Sequence, residues 1–372
     1  MLPRCCSLAE DQATASRWAS FDRPSAIGVA LLLIALLAAA IWGAATATGG
    51  AGPTYSADRT TARTQANQDL VLYESISRRV AAGGDYYPAA ADELRRGSYP
   101  LKPFVAFRLP TLAVAGAWLG RPGLLVLQWS LFAAMLAAWW VRLEGQFAQR
   151  RRRVSAVMLA AAGVAVAVTG RYLYLHEVWA GTLIALSLAL HRPGRWGWSM
   201  AVAALALAIR ELALPYLLLM AALAMWRREW REAGGWAAIM LLFGVGLLLH
   251  QAAVAEVVMP SDPASPGWAA LGGWAGMLRT FHLAGPLRWL PAVAAAPVII
   301  LSLFGWASWK SATGLAATLL YLGYGTAFML FGRADNFYWG LMVAPAFLIG
   351  LAFLPRALSD LARGATGRKG GS

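Results

Sequence analysis

The sequence predicts an all-α polytopic membrane protein with about ten transmembrane helices. Of its 372 residues, 59% are hydrophobic and only 13% are charged, whereas about one-quarter of a soluble domain is charged. Several apolar runs reach the roughly 20 residues that a helix needs to cross a bilayer. The net charge of +14 comes from short Lys and Arg clusters between these runs, which is the pattern of cytoplasmic loops. This pattern favours a membrane protein, and no nucleic-acid partner is expected.

The N-terminal part is predicted to place one anchor before a long outer loop. Residues 1–24 are polar and read as a cytoplasmic tail, and residues 25–48 read as the first crossing. The crossing follows a long polar lead and lacks a cleavage box, so we expect an anchor and not a cleaved signal peptide. Residues 49–122 then form the first outer loop, which contains the longest polar segment of the chain, residues 68–110.

The basic clusters predict the remaining topology when they are placed in the cytoplasm. The predicted crossings are 123–142, 154–170, 178–190, 197–209, 212–226, 236–257, 290–308, 312–331 and 337–355. Residues 104–119, interrupted by Arg108 and Pro110, are predicted to form a short helix half-embedded on the outer side. Residues 25–355 thus form one domain, followed by a basic cytoplasmic tail at 356–372. Eleven crossings remain an alternative, which would place the Arg150 cluster outside.

Residues 65–82 of the outer loop carry apolar side chains at helical spacing, which predicts a helix lying on the membrane surface. We expect Asp69 at its first turn, where it is either a capping residue or a catalytic carboxylate. Asp85 lies in a Gly-Gly-Asp-Tyr-Tyr turn and reads mainly as a turn former. Asp92 and Glu93 precede two arginines and read as a solvated helix face.

Three short motifs of this loop resemble the first extracytoplasmic loop of GT-C-fold glycosyltransferases. They are Asp-Leu-Val-Leu-Tyr at 69–73, Gly-Gly-Asp-Tyr-Tyr-Pro at 83–88 and Tyr-Pro-Leu-Lys-Pro at 99–103. The resemblance, which extends to bacterial mannosyl- and arabinosyltransferase families, implies a GT-C-like fold with juxtamembrane helices in this loop. It further implies that Asp69 is the base that deprotonates an acceptor hydroxyl, with Tyr73, Asp85 and Tyr87 near the substrate. Leu101-Lys102 departs from the second proline of many relatives.

Ionisable residues elsewhere in the apolar runs are candidates for substrate contacts, because charges at membrane depth are functional by default. His176 and Glu177 are expected at an outer turn, where helix-end solvation is the rival interpretation. Arg210 and Glu211 interrupt an apolar run that Pro215 also breaks. An arginine there suits a donor phosphate, and structural pairing of the two side chains is the alternative interpretation. At the far end, Arg333 and Asn336 lie at an outer end of a crossing, where Arg333 is a second candidate for a phosphate contact.

The expected function is the transfer of a sugar from a polyprenyl-phosphate donor to a glycan, lipid or protein acceptor. The site would face the outer side of a bacterial inner membrane, with both termini in the cytoplasm. No cofactor is expected and the residues indicate no metal site, although a divalent metal stays open. A transporter or flippase of a lipid-linked solute is an alternative, but only one interrupted helix is visible where transporters have matching pairs. A non-catalytic subunit of envelope-polysaccharide assembly is the third interpretation.

Overall fold

The fold is all-α, as the sequence predicts. The computed structural model describes residues 15–49, 55–147, 149–165, 167–267 and 269–367, and helix accounts for 79% of the structure. Within these ranges no β-strand forms, and extended pairing is limited to isolated bridges such as the one between Lys102 and Ala264.

Fourteen α-helices follow one another in the described part of the chain, joined by short 3₁₀ turns. The first seven are α1 (Arg23–Gly49), α2 (Tyr55–Ala81), α3 (Tyr86–Arg96), α4 (Thr111–Arg142), α5 (Arg150–Val164), α6 (His176–Leu190) and α7 (Gly197–Ile209). The second seven are α8 (Leu214–Trp226), α9 (Trp230–Val257), α10 (Gly273–Ala284), α11 (Ala292–Ser308), α12 (Ala312–Leu330), α13 (Ala344–Phe347) and α14 (Gly350–Thr366).

Five segments of the described chain are long and apolar enough to cross a bilayer. They are Arg23–Thr46, Phe104–Arg142, Trp230–Val257, Ala312–Leu330 and Ala344–Thr366. Four shorter apolar helices accompany them: His176–Leu190, Gly197–Ile209, Glu211–Trp226 and Ala292–Ser308. The membrane character of the chain is therefore supported by length and composition, whereas the number of ten crossings stays a prediction.

The first outer loop differs from its prediction in where its helices begin. Helix α2 starts at Tyr55, ahead of the expected start, so Asp69 lies in the middle of the helix. The prediction that Asp69 occupies the first turn is therefore wrong, and a capping role is excluded because only the first turn has unbonded N–H groups.

The segment that enters the second predicted crossing also differs. The half-embedded helix begins at Thr111 and not at residue 104, because residues 99–103 are irregular and only a 3₁₀ turn forms at Phe104–Ala106. This helix is the first part of α4, which kinks at Gly120, where φ is 64°, shortly before Pro122. Proline removes a backbone donor and interrupts the helical ladder, so the predicted short helix and crossing form one bent element.

The C-terminal part is more folded than predicted. A 3₁₀ segment at Ala334–Met342 and the short α13 replace the first half of the predicted 337–355 crossing. Helix α14 then runs to Thr366, into the predicted tail. The carboxylate of Asp360 on this helix accepts a hydrogen bond from the Ser16 backbone N–H at 2.9 Å, so parts of both predicted tails pack together. Residues 1–14 and 368–372 lie outside the described residues.

Helix α6 lies at the centre of the core, since every residue from His176 to Ala189 is buried. It packs against α4, α7 and the Ala334–Met342 segment. Gly181 permits the last contact, because a side chain there would collide with the backbone of Leu341 and Met342. Small residues allow such close backbone approach in membrane bundles. The N-terminal end of α6, with His176 and Glu177, therefore meets the segments that line the main cavity.

Candidate active site

A cavity of about 780 Å³ lies where α2, the 97–108 segment, the α7–α8 break, α12 and the Ala334–Met342 segment meet. Its volume is in the range of ligand-binding pockets, which are mostly apolar with a few converging polar groups. Six of the ten residues predicted for the site line it: Asp69, Tyr73, Arg210, Glu211, Arg333 and Asn336. Segments far apart in the sequence thus meet around one space.

The Asp69 carboxylate lies on the cavity wall and is only 4% exposed. The Tyr99 hydroxyl donates a hydrogen bond to its Oδ1 at 2.8 Å. Burial, and next the negative charge of Asp69, raise the pKa of Tyr99, so the phenol keeps its proton and remains a donor. Tyr99 belongs to the 99–103 motif but was not among the predicted site residues.

Tyr73 lies one helical turn after Asp69, where i and i+4 side chains share a face. Its ring lies edge to face with that of His176 at 5.0 Å between centroids, and the Arg108 guanidinium lies 5.7 Å from the ring centroid. Burial raises the pKa of Tyr73 to about 12, so its hydroxyl is neutral at ordinary pH. Tyr73 therefore joins the Asp69 part of the cavity wall to the arginines.

Arg210 lies in the break between α7 and α8, with an extended backbone at φ −147° and ψ 116°. The interruption follows from the sequence, because Pro215 starts a new helix and the charged pair before it needs partners. The Nε atom of Arg210 lies 2.7 Å from Oε1 of Glu177, whose side chain is fully buried. On its other side, Nη1 pairs with Oε1 of Glu211. Arg210 is thus held between two carboxylates.

Arg108 is the functional candidate that sequence reasoning missed. It lines the cavity, its side chain is 14% exposed, and its Nη2 atom lies 3.9 Å from Oε1 of Glu177. Two arginines therefore approach one buried glutamate. A lone arginine in the apolar Phe-Val-Ala-Phe-Arg-Leu-Pro stretch was the available signal, but it was interpreted only as an interruption of a helix.

Arg333 and Asn336 lie together at the start of the Ala334–Met342 segment. The Arg333 Nη1 atom donates to the Pro266 carbonyl at 3.2 Å. Asn336 turns its side chain back to the chain, because its Oδ1 accepts a hydrogen bond from the Arg333 backbone N–H at 3.3 Å. Asn336 therefore acts as a turn-forming residue on the wall, and Arg333 is a third guanidinium on the cavity wall.

Four predicted residues do not line the cavity. Glu177 and His176 lie behind it, and among the described residues neither ring nitrogen of His176 has a hydrogen-bond partner. Asp85 occupies the position just before α3 and makes no capping hydrogen bond with its side chain. The Tyr87 hydroxyl lies 3.1 Å from Nδ1 of His250 on α9. Within the described structure, substrate contact through Asp85 and Tyr87 therefore has no geometric support.

The outer wall of the cavity is fixed by the loop that follows α9. The backbone N–H of Leu101 donates to the Pro263 carbonyl at 3.0 Å, and that of Ser265 donates to Lys102 at 2.6 Å. Arg95 adds a two-pronged pair with Asp262, at 2.9 and 2.7 Å. Hydrogen bonds from Arg95 hold the pKa of Asp262 at about 2. These contacts hold the Tyr99 segment in position beside Asp69.

No group of three or more His, Cys, Asp or Glu side chains is placed to hold a metal ion in the part of the chain that the structure describes. Comparisons with protein-family models, curated proteins and solved structures give no match to this chain. The site must therefore be interpreted from its own geometry.

Proposed function

We propose that this chain is a membrane glycosyltransferase of the GT-C type, which moves a sugar from a polyprenyl-phosphate donor to an acceptor at the outer face. One observation carries the proposal. A carboxylate at Asp69 and guanidinium groups at Arg108 and Arg210 line the same cavity of about 780 Å³. Attack of a hydroxyl on a sugar phosphate needs both a base and cations for the departing phosphate.

The reaction assigns each side chain a separate task. The acceptor oxygen forms a bond to the anomeric carbon while the bond from that carbon to the phosphate oxygen breaks, with inversion. Asp69 takes the hydroxyl proton, and the released electron pair stays on the phosphate oxygen. Arg210 and Arg108 stabilise that negative charge, and an arginine is suited to this because its planar donors match phosphate geometry. Tyr99 orients the Asp69 carboxylate through its hydrogen bond.

The donor lipid is assigned to the apolar part of the cavity. Gly323 and Ala327 lie on one face of α12, and Phe331 directly follows its last residue; Val105 and Leu212 line the same cavity. An isoprenoid chain needs such a lining, because it buries apolar surface at about 25 cal/mol per Å². The acceptor would enter past the Tyr99 segment, where Gln68 and Ser98 contribute polar groups. The acceptor is a glycan, lipid or protein hydroxyl.

The proposal includes the topology. Ten crossings would place the cavity on the outer side of a bacterial inner membrane, with both termini in the cytoplasm. Five helices of crossing length and four shorter apolar helices support a multi-pass protein. Short helices that end inside a bundle leave polar groups at membrane depth, where irregular backbone is tolerated when it lines a cavity. The Arg210 break is of this kind.

The test replaces Asp69 by asparagine, which keeps the shape and removes the base. The purified protein in lipid nanodiscs is incubated with radiolabelled polyprenyl-phosphate sugars and envelope glycolipids, and product is measured by chromatography. General-base catalysis contributes typically 10²–10⁴-fold, so transfer should fall by about a thousandfold in Asp69→Asn. Asp85→Asn is the matched control, because it makes the same change in the same segment outside the cavity, and its rate should equal that of the unmodified chain.

Full activity of Asp69→Asn would exclude Asp69 as the base. If the unmodified chain transfers no sugar but moves labelled lipid across the bilayer of a proteoliposome, the protein is a transporter and not a glycosyltransferase. Envelope assembly that needs the chain but tolerates Asp69→Asn and Arg210→Gln would instead indicate the non-catalytic subunit.

A further inference from the structure

We infer that Glu211 is a displaceable counterion, which pairs with Arg210 and rotates away when a phosphate ester binds. The inference rests on the proposed function, since it assigns the anion that Arg210 receives. It goes beyond the prediction that Glu211 contacts substrate, because it gives this carboxylate a role that opposes binding.

The first observation is a charge balance. Among the described side chains, three arginines line the cavity (Arg108, Arg210 and Arg333), together with two carboxylates (Asp69 and Glu211). Glu177 lies directly behind and contacts two of the arginines. The formal charges of these six described side chains therefore cancel. An anionic ligand that enters this space adds an uncompensated negative charge, which is costly where little water remains.

The second observation is that only one of the three carboxylates can leave at low cost. Asp69 is 4% exposed and bound by Tyr99, and Glu177 is completely buried. The Glu211 side chain is 25% exposed and lies on the cavity wall. A partly exposed carboxylate can rotate into water when it leaves Arg210, whereas an enclosed carboxylate would have to give up its ion pair with no solvent to replace it. Glu211 is therefore the carboxylate that a ligand displaces.

The third observation concerns the two edges of Arg210. Its Nε edge faces Glu177 at 2.7 Å and is turned away from the cavity. Its Nη1 atom is the one paired with Glu211. A phosphate that replaces Glu211 at Nη1 leaves the inner pair intact, so the guanidinium stays in position while its outer partner changes.

This exchange restores the charge balance for the donor, whose phosphodiester carries one negative charge. The competition between Glu211 and phosphate weakens binding of both the donor and the lipid phosphate that transfer releases. A weaker hold on the released lipid phosphate speeds its departure, which limits turnover in many enzymes. Glu211 thus sets how long the product stays bound.

The experiment measures binding of radiolabelled farnesyl phosphate to the full-length protein in nanodiscs, so it needs no transfer activity. Loss of the competing carboxylate in Glu211→Gln should tighten binding about fivefold. Glu211→Asp keeps the charge and should bind no more tightly than the unmodified chain. Glu144→Gln is the matched control, since it removes a carboxylate from an exposed pair with Arg153 that does not line the cavity, and its affinity should not change.

The Arg210→Gln background separates displacement from simple charge repulsion. If Glu211 acts by occupying Arg210, the gain from Glu211→Gln should disappear when Arg210 is absent. A gain of equal size in both backgrounds would overturn the counterion role, and so would weaker binding by Glu211→Gln. In the transfer assay, the variant should also show a lower KM for donor and about fivefold stronger inhibition by farnesyl phosphate.

Failure of this inference and failure of the proposed function give different results. If transfer depends on Asp69 but Glu211→Gln weakens phosphate binding, the proposed enzymatic function stands and the counterion role of Glu211 is rejected. If Glu211→Gln binds phosphate more tightly but the unmodified chain transfers no sugar, the counterion role stands and the proposed enzymatic function is rejected. If the unmodified chain and Glu211→Gln both fail to bind farnesyl phosphate, the counterion is excluded whatever the transfer assay gives.

Discussion

Two buried glutamates lie near opposite ends of α6, and their surroundings differ. Glu177, in the first turn, faces Arg210 at 2.7 Å and Arg108 at 3.9 Å. Near the other end, Oε1 of Glu232 lies close to three donors: Nε2 of His191 at 2.8 Å, Nη2 of Arg227 at 3.1 Å and Nε1 of Trp236 at 3.3 Å. Both side chains are completely buried. Only the arginines around Glu177 line the large cavity.

The difference teaches that burial of a charged cluster alone does not mark a site. A buried charge is costly when its partner is removed, unless water or a ligand can replace that partner. Around Glu177 a replacement can enter from the cavity. The donors around Glu232 do not line that cavity, and they join the ends of α6, α8 and α9. We therefore interpret Glu232 as a structural residue and the Glu177 group as part of the binding site.

The largest predicted effect tests this comparison through the free energy of unfolding. Glu232→Gln should lower it by roughly 3 kcal/mol, because His191 and Arg227 lose their buried partner. Glu177→Gln should lower it by less, roughly 2 kcal/mol, because Arg210 keeps Glu211 as a partner and both arginines line the cavity, where water can solvate part of each guanidinium. The measurement is unfolding in mixed detergent micelles, followed by tryptophan fluorescence.

The effects of the two substitutions on donor binding should have the opposite order to their effects on stability. Per folded molecule, Glu232→Gln should keep the KM for donor, whereas Glu177→Gln should change it because Arg210 loses its inner support. Equal losses of stability in the two variants would show that the cavity does not relieve the Glu177 cluster.

Much of the fold was predictable because apolar length and breaks are local properties. The Arg210 interruption follows from a charged pair and Pro215 within one apolar run, and the structure ends α7 at Ile209 as expected. The start of α2 was not predictable, since residues 55–64 show no apolar periodicity and yet form helix. Asp69 was consequently assigned to a helix end when it lies in the middle.

The site was predictable as a set of residues but not as an arrangement. Arg210 and Arg333 could be selected by residue type, because charges beside apolar runs are conspicuous, and Asp69 was selected through the resemblance of its motif. Their convergence depends on contacts between distant segments, such as the approach of Ala334–Met342 to α6 at Gly181. Arg108 was missed for the same reason: its role depends on Glu177 and Tyr73, which only the folded chain brings to it.

A smaller predicted effect concerns Tyr99, the neutral residue that donates a hydrogen bond to the buried carboxylate of Asp69. Tyr99→Phe keeps the ring and removes only the hydroxyl that donates to Asp69 at 2.8 Å. A hydrogen bond to a charged group is worth about 1.5–3 kcal/mol, and 1.4 kcal/mol corresponds to tenfold in rate. The kcat for sugar transfer should therefore fall about tenfold, with little change in KM.

Steady-state kinetics over a range of donor concentrations checks this prediction. Tyr87→Phe is the control, because it removes a hydroxyl that contacts His250 and not a cavity residue. An unchanged kcat in Tyr99→Phe would mean that the hydrogen bond from Tyr99 does not contribute to catalysis by Asp69.

The smallest predicted effect extends the comparison to an acid–arginine pair in which water reaches the arginine but hardly the acid. The Arg95 side chain is 27% exposed and pairs with Asp262, whose pKa it holds at about 2. The pKa of an unfolded aspartate is about 3.9, so the pair contributes stability that is fully present above about pH 4. This contribution is lost as the pH falls through the folded value near 2.

The melting temperature of the unmodified chain should accordingly decrease between pH 4 and pH 2 by more than that of Asp262→Asn, with the two curves converging at the acid end. Because water reaches the Arg95 guanidinium that Asp262→Asn leaves behind, the gap at neutral pH should be smaller than the gap between Glu232→Gln and the unmodified chain. A difference in melting temperature as large as that of Glu232→Gln would mean that the loop after α9 holds the cavity wall as strongly as the buried Glu232 cluster holds α6. Parallel curves down to pH 2 would show that protonation of Asp262 is not coupled to unfolding.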